Sequence, residues 1–333
     1  MGDVAMTVPV IHAVATQHPD TDVTVLTRKR FVPMFDGLPA NVSVCGIDLN
    51  DFHGISGLNR LYRQLRAEAF DGVADLHDVL RTKYLRLRFR IAGTRVAVID
   101  KGRKAKHALI GHGRDAQPLR PMFQRYADVF AQLALPVELR PLPTADHAEP
   151  LPAPLLDVLG RPSPKQPWVG IAPFAAHAGK IYPTAQMQKV AEALAARGCQ
   201  VFLFGAGNSE RATLESWEQS GIVSTCGRLG GLRAEMQLMR RLKAMIAMDS
   251  ANMHIAALMG VPVISVWGAT HPKAGFTPWQ QPSDRIVQID DLDCRPCSIY
   301  GNRPCKWGDL RCMTRIAPSD IVDRTMRLLD EQR

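Results

Sequence analysis

The sequence predicts an α/β protein of two domains, each built on a mainly parallel sheet. Three observations carry this reading. Short apolar segments alternate with helical ones along most of the 333 residues, a length that suits two domains with a core each. The apolar segments run into Gly-rich or polar turns, as the strands of a nucleotide-binding sheet do. Nine prolines fall between Pro136 and Pro167, where they deny both helix and central strand and so mark a linker. The expected layout is a domain over 1–150, a Pro-rich linker over 151–167 and a second domain over 168–333.

Composition narrows the function. Apolar residues make up 46% and charged residues 22%, which excludes a disordered chain. Lys and Arg number 41 against 32 Asp and Glu, an excess suited to phosphorylated ligands, nucleic acid or an anionic membrane surface. No apolar run is long enough to span a bilayer and no signal peptide is visible, so a cytoplasmic protein able to touch the membrane is expected.

In chain order, Met1 to Pro9 leads into a helix with Val10, Ile11, Val14 and Ala15 on one face. No strand precedes Gly2-Asp3, so either the chain begins inside a longer protein, with Met1 an internal residue, or the first strand is absent. Val23–Thr27 and Val42–Cys45 read as strands, 56–68 as a helix, and Phe70–Leu76 and Arg95–Ile99 as strands. Residues 79–92 fit two patterns. Leu85, Leu87, Phe89 and Ile91 alternate like a strand, whereas Leu80, Tyr84, Leu87 and Ile91 have helical spacing. A position between two strands favours a crossover helix. Residues 81–107 hold ten Lys and Arg and one acidic residue, Asp100. That run is either a solvated helix face with a loop or a docking surface for a phosphorylated or membrane-embedded acceptor. Few aromatics interleave with it, which argues against nucleic acid. A helix over 119–135 precedes the linker.

The second half is built around Ala247-Met248-Asp249-Ser250-Ala251-Asn252-Met253-His254, between the apolar segments 244–248 and 261–267. This is strand, polar turn, short helix, strand. Ligands of open α/β sheets sit at such strand ends, where helix N-termini offer free N–H groups. Ser250 is placed to cap the helix, and His254 falls one turn later on the same face. The alternative is a capped helix with a surface histidine. Upstream, Trp168–Ala172 is a strand, Thr184 caps a helix that Gly198 terminates, and Val201–Phe204 runs into Gly205-Ala206-Gly207.

Taken together, these turns resemble glycosyltransferase family 9, the bacterial heptosyltransferases that transfer ADP-activated heptose in lipopolysaccharide core synthesis. The matching pieces are Gly2-Asp3-Val4, Lys180 with Tyr182-Pro183, Gly205-Ala206-Gly207 with Glu210, Asp249-Ser250 with Met253-His254, Trp267 to Pro272 and the C-terminal cysteines. The resemblance implies a GT-B fold, two Rossmann-like domains facing a cleft, with the acceptor on the first and the nucleotide-sugar on the second. It implies Asp3 as the catalytic base of an inverting transfer that needs no cofactor. It implies Lys180 at the diphosphate, Glu210 near the ribose or base, Asp249 at the donor sugar, Ser250 and Ala251 offering backbone N–H groups to phosphate, and His254 beside them. The structural alternatives are a helix-capping Asp3, a loop Lys180, a dipole-favoured Glu210 and a core His254. The chain departs from the family at Ala251-Asn252, where Gly-Pro is common, at Tyr182, where Trp is common, and at Ala175 and Ala176, where some members carry hydroxyls.

The implied partners are a nucleoside-diphosphate sugar, ADP-linked for preference, a glycolipid acceptor and the anionic inner face of the membrane. Arg60, Arg81, Lys83 and Arg86 are the acceptor-side candidates. Cys294, Cys297, Cys305 and Cys312 can either close a tetrahedral structural zinc site or form an unmetallated loop. Two rival functions stand beside the transferase: another GT-B enzyme such as a sugar-nucleotide epimerase, and a non-catalytic glycolipid-binding protein.

Overall fold

Parallel strands cannot be joined by hairpins, so each pair needs a crossover, and the crossovers set the layout. The computed structural model describes residues 1–113, 115–143, 156, 159 and 166–332. Most of the Pro-rich stretch 151–167 lies outside the described residues. The chain divides into two units. One holds Met1, Asp3–Arg103 and Arg120–Leu142; the other holds Gly2, Lys104–Leu119 and Pro143–Arg333.

In the first unit, β1 (Val23–Arg28) pairs in parallel with β2 (Val42–Ile47), Val23 opposite Val42. Strand β3 (Gly72–Asp75) pairs in parallel with β4 (Arg95–Val98), Gly72 opposite Arg95. Among the described residues these are separate two-stranded pairs. Helix α1 (Gly2–Gln17) begins earlier than the sequence reading has it and continues through Pro9. An interior proline costs roughly 3 kcal/mol. The helix tolerates it because Ala5 to Ile11 are buried on every side rather than along one face. Helices α2 (Gly54–Arg66) and α3 (Leu80–Ile91) follow. The ambiguous stretch 79–92 is thus the crossover between β3 and β4. Leu85 and Phe89, four residues apart, turn inward onto Leu61, Tyr62 and Leu65, and the Tyr62 and Phe89 rings meet edge to face at 5.1 Å. Helix α4 (Arg103–Leu109) follows in the chain but falls almost wholly in the second unit, and α5 (Met122–Ala131) returns to the first.

The second unit carries one six-stranded parallel sheet. Its strands are β5 (Trp168–Ala172), β6 (Gln200–Leu203), β7 (Ile222–Ser224), β8 (Ala244–Met248), β9 (Val263–Val266) and β10 (Ile286–Val287), in spatial order β10-β9-β8-β5-β6-β7. Every residue of β5, β8 and β9 is buried, as expected of central strands covered on both faces. Helices α6 (Thr184–Ala196), α7 (Asn208–Glu215), α8 (Leu232–Met239), α9 (Ala251–Leu258), α10 (Arg311–Thr314) and α11 (Pro318–Asp330) complete the unit. Thr184 is the first residue of α6 and not its cap. Pro183 holds the N-cap position, without a side-chain hydrogen bond. From β5 the chain moves outward through β6 to β7, then returns to β8 on the other side and continues to β10. The direction reverses between β5 and β8, where Ala172 lies opposite Ala247. A ligand crevice belongs outside the carboxyl ends of those two strands.

Lys104–Leu119 clusters with the second unit although it follows β4 in sequence. Leu109 packs with Ala274 and Ile299, Lys106 lies 4.1 Å from the Phe276 ring, and the N–H groups of Gly111 and Gly113 donate to the carbonyls of Pro296 (2.8 Å) and Arg295 (2.9 Å).

Candidate active site

Three adjacent strand ends of the second unit, those of β8, β5 and β6, carry the predicted donor-side residues. The loop after β5 makes a short 3-10 turn at Ala178–Lys180. Lys180 leaves it with Nζ 2.9 Å from Asp249 Oδ2, just past the end of β8. The same oxygen accepts a hydrogen bond from Thr270 Oγ1 at 2.8 Å, from the turn after β9. Asp249 is buried, so this pair is screened less than a surface one. Both contacts use Oδ2, which leaves Oδ1 for a ligand.

The turn at Lys180 is held by close packing. Gly179 accepts from the Ala269 N–H at 2.9 Å, and a Cβ on Gly179 would stand 2.8 Å from Ala269 Cβ. Gly301, with φ +77, lies against the stem of Lys180, where any side chain would collide with Lys180 Cγ. The alkyl chain of Lys180 is thereby confined while its ammonium meets Asp249.

Ser250 occupies the N-cap position of α9, yet its side chain makes no capping hydrogen bond. Its Oγ is buried without a partner, and so is Nδ1 of His254 one turn further on. His254 is therefore not the surface histidine of the alternative reading. Burial, and then the nearby Lys180 ammonium, push its pKa down to about 3, so the ring is neutral. Buried polar atoms are almost always paired, so two unpaired ones on one helix face beside an ion pair mark a candidate site for a polar ligand. Ala251 opens α9, whose first N–H groups have no intrahelical acceptors.

Glu210 follows β6 in the first turn of α7. Its Oε2 accepts from the Ala206 N–H at 2.8 Å, which closes the Gly205–Gly207 turn. Tyr182 is fully buried and structural: its hydroxyl donates to the Ile316 carbonyl at 2.8 Å, and burial raises its pKa to about 12.

In the first unit, Asp3 lies exposed in the first turn of α1. It is within electrostatic reach of His77 and Tyr126. Burial lowers the pKa of His77, Lys101 adds to this, and Asp3 and Asp75 oppose it. At the end of β3, Asp75 Oδ1 accepts from the N–H groups of His77 (3.0 Å) and Asp78 (2.8 Å). Arg86 donates to Asp75 at 3.1 Å and to Asp78 at 2.9 Å, so its charge is answered within the fold. Asp78 also meets Arg103 at 2.8 Å. Burial alone would raise Asp78, but hydrogen bonds from Arg86 and Arg103 outweigh it and hold the carboxyl below its usual range. Lys83 stands 4.0 Å from Asp78 and is half exposed, Arg81 is exposed, and Arg60 donates to the Asp51 carbonyl and lies over the Phe52 ring.

The four cysteines converge. Cys294, Cys297, Cys305 and Cys312 line one small cavity of about 20 Å3 with Arg295, Trp307 and Arg311. Among the described residues, no three or more His, Cys, Asp or Glu side chains are disposed as metal ligands. Burial raises the thiol pKa of Cys297, and that of Cys312 to about 11.

Sequence reasoning missed Thr270, Gly301, His77 and above all Arg295. Arg295 is almost wholly buried. Its guanidinium donates to the carbonyls of Gly268 (2.6 Å), Ile289 (2.6 Å), Thr270 (3.0 Å) and Trp267 (3.3 Å) and to Gln288 Oε1 (3.1 Å). It ties down the turn that carries Thr270 to Asp249. Its place inside the cysteine cluster hid it, because the spacing of the thiols drew the reading.

A doubly wound parallel sheet with a Lys–Asp pair and a helix N-terminus at its switch point defines an α/β enzyme of the nucleotide-binding kind. Comparison with known proteins makes this particular. Residues 58–307 match the model of glycosyltransferase family 9 (heptosyltransferase). The chain is 27% identical to lipopolysaccharide heptosyltransferase 3 of Escherichia coli K12, over 99% of this chain and 96% of that one. Among solved structures it is similar to E. coli ADP-heptose lipopolysaccharide heptosyltransferase II (TM-score 0.70, 17% identity, 100% of this chain and 97% of that one). It is also similar to a family 9 glycosyltransferase from Veillonella parvula (TM-score 0.73, 20% identity, 99% and 95%). The protein belongs to glycosyltransferase family 9, and its fold is GT-B. It is a glycosyltransferase.

Proposed function

We propose that this enzyme transfers heptose from ADP-heptose, with inversion, to a sugar hydroxyl of a lipopolysaccharide core acceptor at the cytoplasmic face of the inner membrane. The observation that carries the donor half is the Lys180–Asp249 pair at the switch point, beside the unpaired Ser250 hydroxyl and the open N-terminus of α9. A diphosphate placed there meets an ammonium and backbone N–H groups. Asp249 holds Lys180 before the diphosphate arrives and then offers oxygen to the donor sugar's hydroxyls. Glu210, with one oxygen engaged by its own turn, offers the other to the ribose.

In the reaction, Asp3 accepts the proton of the acceptor hydroxyl while that oxygen attacks the anomeric carbon. The bond from that carbon to the phosphate oxygen breaks, and ADP leaves with the electron pair. Lys180 and the N–H groups of Ser250 and Ala251 stabilise the charge that grows on the leaving phosphate. Of the candidate cations of the first unit, Arg60, Arg81 and Lys83 are offered to the acidic, membrane-proximal end of the acceptor and to the surface that holds it, while Arg86 orders the Asp75–Asp78 turn. Relatives support the sugar and the acceptor: one is a lipopolysaccharide heptosyltransferase, and one solved neighbour is an ADP-heptose lipopolysaccharide heptosyltransferase.

Calorimetry tests the donor. ADP is expected to bind more tightly than UDP or GDP, and Lys180→Ala to weaken ADP by about tenfold or more, the loss of a charge-assisted contact. Equal binding of the three nucleotides, or an unaffected Lys180→Ala variant, would rule out this site.

A further inference from the structure

Helix α3 has two apolar faces. Leu85 and Phe89 point into the core of the first unit. On the opposite side, Leu80, Leu87 and Ile91 are 84%, 55% and 75% exposed. Together with Tyr84 they fall within about 60° of arc at roughly 100° per residue. Ile55 of α2 is 69% exposed, and these four are the most exposed large apolar side chains among the described residues. Tyr84 donates to Asn59 Oδ1 at 2.7 Å, and Phe89 meets Tyr62, so α2 and α3 run side by side in the same sense. Ile55, one turn before Asn59, therefore lies toward the Leu80 end. A helix on a water-facing surface carries polar residues there; this one leaves an apolar stripe uncovered.

The charges around the stripe have one sign. By the same helical geometry, Lys83 and Arg90 border it on one side and Arg81 on the other, and no acidic residue occurs in Leu80–Ile91. Asp78, the nearest carboxylate, is already engaged by Arg86 and Arg103. A second copy of this chain laid on the stripe about a two-fold axis would bring these cations together, which disfavours that occupant. An anionic interface answers both the apolar stripe and its cationic border.

We propose that this face of α2 and α3 docks on a bilayer containing anionic phospholipids. Leu80, Leu87, Ile91 and Ile55 enter the boundary between headgroups and acyl chains, and Arg81, Lys83 and Arg90 meet the lipid phosphates. The assignment rests on the reading of the acceptor as a membrane-anchored glycolipid, and it names the surface that reaches the membrane.

Flotation with vesicles tests it in the absence of donor and acceptor, so the result stands apart from turnover. The full chain is expected to float with phosphatidylcholine vesicles containing phosphatidylglycerol but not with pure phosphatidylcholine, and to be released by high salt. The combined variant Leu80→Ser, Leu87→Ser, Ile91→Ser should lose at least about tenfold in vesicle partition, each exposed site giving up burial at the interface. Its melting temperature and its turnover on a soluble, lipid-free acceptor oligosaccharide should be unchanged. Leu87→Trp, which keeps apolar bulk, should retain vesicle binding. Equal partition of the parent and the triple variant would overturn the proposal, as would equal binding to neutral vesicles. A concentration-dependent dimer abolished by the triple variant, with no vesicle binding, would overturn it in favour of a second copy.

Discussion

Asp3→Asn is expected to lower turnover by about 10²–10⁴-fold, the range for loss of a general base. A sugar hydroxyl is a poor nucleophile, and its proton must leave as its oxygen attacks. A carboxylate accepts that proton; an amide of the same size does not. Asp3 stands exposed at the start of α1, so the substitution disturbs no packing, and the melting temperature should hardly move. Loss of one charge from a helix N-terminus costs about 0.3–1 kcal/mol. ADP affinity should be unchanged, because the proposed grip on the nucleotide, Lys180 and the N-terminus of α9, is left intact. The depressed pKa of His77 keeps that neighbour neutral near pH 7. Should Asp3→Asn turn over at close to the parent rate, the base lies elsewhere, and His77 becomes the side chain to replace next.

Arg295→Ala should destabilise the second unit by about 3–5 kcal/mol, the scale for removing one side of a buried charged network. The guanidinium answers four backbone carbonyls and one amide oxygen, and its bonds to the carbonyls of Trp267, Gly268 and Thr270 are buried. Each buried acceptor left alone costs about 1–3 kcal/mol, less what relaxation recovers. Calorimetric melting should show a drop of roughly 10 °C, at about 2–4 °C per kcal/mol for a unit of this size. Arg295→Lys keeps the charge but not the planar fork, so it should recover only part of the loss. A second readout separates positioning from stability. Well below the melting point, the Ala variant should still bind ADP more weakly, because the turn that brings Thr270 to Asp249 is released. A melting temperature within a degree or two of the parent would show that the network is dispensable.

Much of the molecule was legible before any coordinates. The alternation of apolar segments, the Gly-rich turns after β6 and the Asp249-Ser250 turn after β8 are local signals, and local signals survive in a sequence. They placed Lys180, Asp249, Ser250, Glu210 and His254 at strand ends, where the sheet order then sets them side by side. The helix over Leu80–Ile91 was legible only through its neighbours, since its own pattern fits two periods. The start of α1 was misread because Pro9 is a helix breaker on average, and only burial on every side outweighs that tendency.

The sequence by itself determined the fold class, the strand ends that carry the candidate site and the family. Only the tertiary structure decided what those side chains do before a ligand comes. It paired Lys180 with Asp249, engaged Arg86 with two carboxylates, buried His254 to neutrality and left the Ser250 hydroxyl unpaired. It gave Arg295 five acceptors, most of them more than 20 residues away, and it folded Lys104–Leu119 onto the second unit. The physical reason is range. Propensity, capping and turn chemistry act over a few residues and are written in order along the chain. Ion pairs, burial and the satisfaction of buried carbonyls join residues that only the completed sheet brings together.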